Sequence, residues 1–277
     1  MMAAINPIAF HVFNWPVYWY GIIITAAIII AADLSTKESI KKGFKKDFVW
    51  DLLIWALPLA FLGARLYYVI FEWSYYREHL NEVLAIHKGG IAIYGGLLAG
   101  MLVAFIFTKK RYASFILFLD IAAPYVLLAQ SIGRWGNFVN QEAHGTEVSR
   151  QFLEQLHLPE VIIQQMLIDG QYYHPTFLYE SLVSVSGVVL LLLIRRYAPI
   201  RVGDLVSFYL IWYSTGRFFI EGMRTDSLYI IGDIRASQVV ALMLIVVGVL
   251  SIVYRYTHKK QYMLYRDVTN PYQLSIL

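Results

Sequence analysis

Seven apolar stretches constrain this chain more than any other feature, because each approaches the ~20 residues that a helix needs to cross a bilayer core. They run Val17–Ala32, Phe48–Phe71, Ile91–Thr108, Ala113–Ile132, Thr176–Ile194, Leu205–Ile220 and Ala236–Tyr254. Of the 277 residues 58% are hydrophobic and 15% charged, whereas ordinary soluble domains carry about 25% charged residues. The polar complement is too small to cover so much apolar surface in water, so the excess faces lipid. Trp15, Tyr18, Trp19 and Tyr20 cluster at one end of the first stretch, where amphipathic rings favour the headgroup level. No basic residue precedes that stretch, so it is expected to be a retained span rather than a cleaved signal peptide.

Lys and Arg set the orientation. Fifteen of the 23 fall in Asp33–Asp47, Lys109–Tyr112, Arg195–Val202 and the segment from Arg255 onward. Arg77, Lys88, Arg134, Arg150, Arg224 and Arg235 lie on the opposite side, and Arg65 and Arg217 lie within spans. The positive-inside rule then puts the N-terminus outside and the C-terminus in the cytoplasm. The one long connection, Gly133–Pro175, falls outside. It contains an amphipathic patch, Phe152–Leu167, interrupted by Pro159, and loops beyond about 15 residues are usually functional or disordered. The expected architecture is an all-α integral membrane protein, a single polytopic domain over residues 1–277. It has seven transmembrane helices and a small ordered extracytoplasmic head, residues 133–175, between spans four and five.

Several chemistries drop out. The chain has no cysteine, which excludes disulfides, thiolate metal sites and an enzyme-borne thiol nucleophile. Its seven histidines lack metal-ligand spacing, so no metal is expected. A net charge of +4 is weak grounds for a nucleic-acid partner, and none is expected.

A charge at the centre of a span costs about 2.5–3.5 kcal/mol, and such residues normally face a cavity or a partner. Arg65 either snorkels or pairs, Asp120 needs a partner from another helix, and Glu180 reads as interfacial. Tyr213, Arg217, Glu221 and Arg224 recur at i, i+4, i+8 and i+11, one helix face on which Arg217–Glu221 and Glu221–Arg224 can pair. A salt-bridge ladder is one reading. The other is an anion site, since two arginines against one carboxylate leave positive charge and guanidinium forks fit phosphate oxygens. A second cluster, Gln130, Arg134, Asn137, Asn140, Glu142 and His144, is interspersed with Gly133, Gly136 and Gly145. It reads as a polar loop leaving the membrane, whose glycines allow turns that expose N–H groups. The glycine pairs of Gly89–Gly96 permit close helix packing or a narrow lipid-facing slot.

Gly133-Arg134-Trp135-Gly136-Asn137-Phe138-Val139-Asn140-Gln141-Glu142-Ala143-His144-Gly145 closely resembles the signature of the prolipoprotein diacylglyceryl transferase family, Gly-Arg-x-Gly-Asn-Phe-x-Asn-x-Glu…Gly. Trp19-Tyr20-Gly21, Gly89–Gly96, His174-Pro175-Thr176…Tyr179-Glu180 and Gly216-Arg217-Phe218…Glu221…Arg224 resemble its other motifs, in the same order. The resemblance covers nearly the whole chain. It implies a multi-pass enzyme of the bacterial cytoplasmic membrane that takes phosphatidylglycerol from the lipid and prolipoprotein signal peptides with a lipobox cysteine. The thiol attacks the glycerol carbon bearing the phosphate, a thioether forms and glycerol-1-phosphate leaves, without cofactor or metal. By the same resemblance Arg134 and Arg217 clamp the phosphate, and Glu142 and Glu221 orient them. Asn137, Gly145 and Tyr20 shape the site, and Tyr213, Arg224 and Asp120 support it. Tyr94 stands where many members carry a histidine assigned as base. With an unperturbed pKa of about 10 a phenol is protonated near pH 7 and is then no base for a thiol, so Tyr94 is expected to donate a hydrogen bond to the lipid instead. A transporter or channel for an anionic substrate is the rival reading, but it predicts inverted repeats or paired broken helices, and neither is evident.

Overall fold

The computed structural model describes residues 5–85, 89–226, 228–258 and 262–274. Lys88, Lys259 and Lys260, which count towards the charge asymmetry, lie outside the described residues. An antiparallel hairpin, β1 (Ile8–Val12) and β2 (Trp15–Tyr18), leads into α1 (Trp19–Lys41). Then come α2 (Phe48–Phe71), the short α3 (Trp73–Tyr76), α4 (Ile93–Lys110) and α5 (Phe115–Asn140). The connection to α8 (Thr176–Tyr197) holds α6 (Arg150–Gln155), α7 (Glu160–Gln165) and a three-stranded sheet, β3 (Glu147–Val148), β4 (Leu167–Ile168) and β5 (Gln171–Tyr173), with β5 central. After α9 (Asp204–Glu221), the hairpin β6 (Tyr229–Ile231) and β7 (Ile234–Arg235) leads into α10 (Ala236–Thr257).

Among the described residues six helices, α1, α2, α4, α5, α8 and α10, are long and apolar enough to cross a membrane. The protein is thus a mostly helical, multi-pass membrane protein. The sixth predicted stretch is also helical, as α9, but it carries Asp204, Arg217 and Glu221 within 18 residues. Two boundaries differ from expectation for identifiable reasons. Asp33–Lys41 continues α1 instead of starting a loop, because Ser35, Thr36, Glu38 and Ser39 lie on a buried face and Lys41 pairs with Glu38 at 3.3 Å. Gly133–Asn140 is likewise helix, the end of α5, and not a loop. Its glycines serve packing. A Cβ at Gly136 would lie 2.7 Å from the Tyr20 ring, and one at Gly133 3.1 Å from Ile24.

The chain divides into two compact units, Ser35–Phe118 with Val268–Leu277, and Met1–Leu34 with Leu119–Asp267. In the first, α2 and α4 meet through small residues: a Cβ at Gly63 would lie 2.3 Å from Ala99, and one at Gly95 2.5 Å from the Gly63 carbonyl. The glycines beside Tyr94 therefore belong to close helix packing, while Gly89 and Gly90, at φ of 83° and 71°, turn the chain towards α4. Arg65 does not snorkel, and among the described residues it pairs with no carboxylate. It is 1% exposed and donates to the carbonyls of Glu82, Val83, Gly89 and Gly90 at 2.7–2.8 Å. Five donors on one planar group let a single side chain hold this turn.

In the second unit α9 runs antiparallel to both α8 and α10. Near its end, Arg217 reaches Glu180 in α8 at 2.9 Å and Glu221 accepts from Ser237 of α10 at 3.0 Å. At its start, Asp204 pairs with Arg255 at 2.8 Å. Asp120 of α5 accepts from the backbone N–H groups of Gly203 (2.5 Å) and Val206 (2.8 Å). It therefore satisfies donors that the first turn of a helix leaves open. The α5–α8 connection has its own core of Phe138, Leu153, Ile163, Met166 and Phe177. Pro159 separates α6 from α7, at whose start it sits.

Candidate functional site

The site grows from the last two turns of α5. Arg134 and Asn137 are one turn apart, and Arg134 Nη1 donates to Asn137 Oδ1 at 3.3 Å. Asn137 Nδ2 in turn donates to Glu142 Oε1 at 2.8 Å. Gln165, 2% exposed, fixes this helix end by donating to the carbonyls of Phe138 and Val139 at 3.1 Å. It also accepts from the Ile5 N–H at 2.8 Å. Such capping satisfies carbonyls that would otherwise stay unpaired. Among the described residues Glu142 thus touches Asn137 and reaches Arg134 through it, so any orienting of Arg134 by Glu142 is relayed by Asn137.

Glu180 meets the arginines directly. Its Oε2 lies 2.5 Å from Arg134 Nε, and its Oε1 lies 2.9 Å from Arg217 Nη1 and 3.6 Å from Arg224 Nη1. Glu221 contacts Arg217 at 2.6 Å, as the i, i+4 spacing predicted, but Arg224 turns from Glu221 to Asp226. Arg224 Nε and Nη2 meet the two Asp226 oxygens at 2.9 and 2.6 Å, a bidentate fork. Burial pushes the Asp226 carboxyl up, yet the hydrogen bonds and charge of Arg224 outweigh it and hold the carboxyl below its ordinary range. Three guanidinium groups therefore face three carboxylates. The residual positive charge expected from two arginines and one carboxylate does not exist, because Glu180 and Asp226 complete the balance.

Gly145 is the joint of the site. Its N–H donates to the His174 carbonyl at 3.0 Å and it bridges to Arg224 in antiparallel fashion. A Cβ there would lie 2.6 Å from His174 Cβ and 3.2 Å from the Met223 carbonyl. Close approach of three segments, and not an unusual φ, requires glycine here. Burial holds the neighbouring His174 imidazole below its ordinary value, which favours the neutral ring. Tyr20, in the first turn of α1, packs on Gly136.

Other expected members lie elsewhere. Asp120 sits fourteen residues before Arg134 on the same helix, a rise of roughly 21 Å, and its partners are the Gly203 and Val206 amides. The support it gives in this structure is to the start of α9. Tyr213 stacks on Tyr209, with centroids 5.9 Å apart. Tyr94 is half-buried in the first turn of α4, in the other compact unit. Sequence reasoning missed Asp226, Ser237 and Gln165, and it placed Glu180 at an interface although an ionisable residue within a span is a functional candidate by default. Among the described residues, no three of His, Cys, Asp and Glu gather as a metal-binding group.

Comparison with known proteins agrees with the motif pattern. The family model described as prolipoprotein diacylglyceryl transferase matches residues 7–254. A phosphatidylglycerol–prolipoprotein diacylglyceryl transferase of Bacillus velezensis is 56% identical, the match covering 91% of this chain and 92% of that one. One of Listeria welshimeri is 55% identical over 91% and 90%. One of Lysinibacillus sphaericus is 49% identical over 96% and 98%.

Proposed function

Because the chain belongs to the prolipoprotein diacylglyceryl transferase family, we propose that it moves the diacylglyceryl group of phosphatidylglycerol onto the lipobox cysteine of lipoprotein precursors. The observation that carries this reading is the convergence of Arg134, Arg217 and Arg224 on one carboxylate at the ends of α5 and α9. Guanidinium forks recognise phosphate and carboxylate with the same geometry. In the reaction the cysteine sulfur attacks the glycerol carbon bearing the phosphate. The C–S bond forms, the C–O bond breaks, and its electron pair stays on the departing glycerol-1-phosphate. The thiol proton passes to water, to the phosphate or to a carboxylate. Nothing is oxidised or reduced, so the reaction needs no electron carrier. Arg134 and Arg217 neutralise the charge that grows on the leaving phosphate, an effect strongest where water is excluded. Asn137, held by Glu142, and Gly145 shape the cleft around them, with Tyr20 against Gly136.

The protein acts in the bacterial cytoplasmic membrane as a single polytopic domain. Seven helices cross, with the N-terminus outside, the C-terminus in the cytoplasm and residues 133–175 forming an extracytoplasmic head. The pairing of α9 with α10 at both ends and with α8 around Trp212 and Arg217 supports α9 as the seventh crossing, since its 18 residues span about 27 Å. The purified protein, given phosphatidylglycerol and a lipobox peptide, should release glycerol phosphate and leave a thioether. Equal release with a serine peptide, or none with cysteine, rules the reading out. Tyr94 donates a hydrogen bond to the lipid. Tyr94→Phe should cost about 1.5–3 kcal/mol of transition-state stabilisation, with the pH profile unchanged in shape. A loss near the 10⁴ that a positioned general base supplies would instead make Tyr94 the base.

A further inference from the structure

Glu180 differs from every other carboxylate of the cluster in what holds it. Glu221 has the Ser237 hydroxyl as well as Arg217, and Asp226 has a two-pronged bond to Arg224. Glu180 is 6% exposed, and among the described residues its polar partners are Arg134, Arg217 and Arg224 alone. It takes no backbone N–H and no hydroxyl. All three arginines come from elements other than its own: α5, α9 and the segment after α9. A carboxylate presents two oxygens sharing one negative charge, and so does the phosphodiester of phosphatidylglycerol. With Glu180 in place the directly paired groups balance, three guanidinium groups against three carboxylates, and Glu142 adds a further negative charge one residue out, bonded to Asn137. A phosphodiester added to it would bring an uncompensated charge into a poorly solvated site, whereas one that replaced Glu180 would leave the balance intact.

Resting on the phosphate-clamp reading above, we propose that Glu180 is a stand-in for the lipid phosphate. It is a positioning residue that keeps Arg134, Arg217 and Arg224 convergent while the site is empty, and it yields at least two of them when phosphatidylglycerol enters. Glu180 therefore competes with the substrate's phosphate and sets how tightly the site binds it. The side chains of Arg217 and Arg134 are 20–21% exposed against 7% for Glu180, so an incoming anion meets the arginines before it meets the carboxylate. Exchange also explains how a site made of buried ion pairs can take a charged ligand: like charges brought together are heavily penalised, and exchange avoids bringing them together.

The test compares wild type, Glu180→Asp and Glu180→Gln in full-length purified protein. The readouts are KM and kcat with phosphatidylglycerol, and the dissociation constants of glycerol-1-phosphate and inorganic phosphate. Removing the competing charge in Glu180→Gln should lower the KM and both dissociation constants at least about tenfold. Because the empty-site arginines lose their anchor, kcat should fall in the same variant. Glu180→Asp keeps the charge but withdraws it from the arginines, so its affinities should fall between the two. Tightening with glycerol-1-phosphate but not with inorganic phosphate would place the competition at the lipid headgroup, and equal tightening would place it at the phosphate itself. Either supports the exchange. Wild type binding most tightly of the three overturns it, because Glu180 would then assist binding. If Glu180→Gln does not fold, the order of Glu180→Asp and wild type decides alone. A wild type that binds glycerol-1-phosphate in the predicted order yet transfers nothing sinks the proposed function and spares this inference. Transfer with the reverse order does the opposite.

Discussion

At the Asp204 end of α9, each oxygen of a 1%-exposed carboxylate has a hydrogen-bond donor. Arg255 Nε donates to one at 2.8 Å, and the Arg201 N–H (2.8 Å) and Tyr256 hydroxyl (2.9 Å) donate to the other. Arg255 spends a further N–H on Ser207 at 2.6 Å, and nearby Asp120 is satisfied by backbone N–H groups. At the Glu221 end, three arginines crowd one carboxylate. Glu221 Oε2 is buried without an aligned hydrogen bond, although it lies 2.6 Å from Arg217. Both ends bury charge, but Asp204 adds a backbone N–H and a hydroxyl to its one arginine, whereas among the described residues Glu180 has arginines alone. On the exchange proposed above, a carboxylate held by arginines alone is the one that an incoming anion replaces. A buried ion pair is thus no guide to function by itself, and the number and kind of its other partners is.

That contrast can be broken by mutation. Removing one member of a buried pair leaves a charge stranded, which costs about 3–5 kcal/mol. Asp204→Ala should therefore lower unfolding stability by about that much, while the folded fraction turns over at near the parent rate. A stable Asp204→Ala protein without activity would mean that the Asp204 end is itself part of the chemistry. Arg134→Lys and Arg217→Lys should do the reverse. Lysine keeps the charge but not the planar fork, and losing such a contact costs about 2.7–4 kcal/mol, or 10²–10³ in rate, with melting temperature near the parent's. Two lysine variants with parental turnover would end the phosphate-clamp assignment. The smallest effect is expected at the joint. Gly145→Ala inserts a methyl 2.6 Å from His174 Cβ, and overpacking of this kind costs roughly 1–3 kcal/mol. Because Gly145 pairs with Arg224, the variant should raise the KM for phosphatidylglycerol more than it lowers kcat. An unchanged KM would show that the Arg224 segment can shift without consequence.

The helices were legible in the sequence because hydropathy is local and additive. The run Phe48–Phe71 became α2 without a change of boundary, and the other six runs each became a helix. Errors gathered where polar residues continue a helix: nothing in Gly133–Asn140 taken alone says that Gly133 faces Ile24 and Gly136 faces Tyr20, or that its carbonyls at Phe138 and Val139 will be capped by Gln165. Arg134, Arg217 and Glu221 could be picked out because an ionisable residue in or beside an apolar run is conspicuous, and Glu221 sits one turn from Arg217. What only the tertiary structure decided is who pairs with whom across the chain. Glu180 meets Arg217 across 37 residues, and Asp120 reaches Gly203 across 83. Those meetings depend on which helix ends come level, and that is set by packing of whole helices and by no short stretch of sequence. The charge count of the site followed from them, and with it the difference between an arginine pair awaiting an anion and an arginine cluster already holding one.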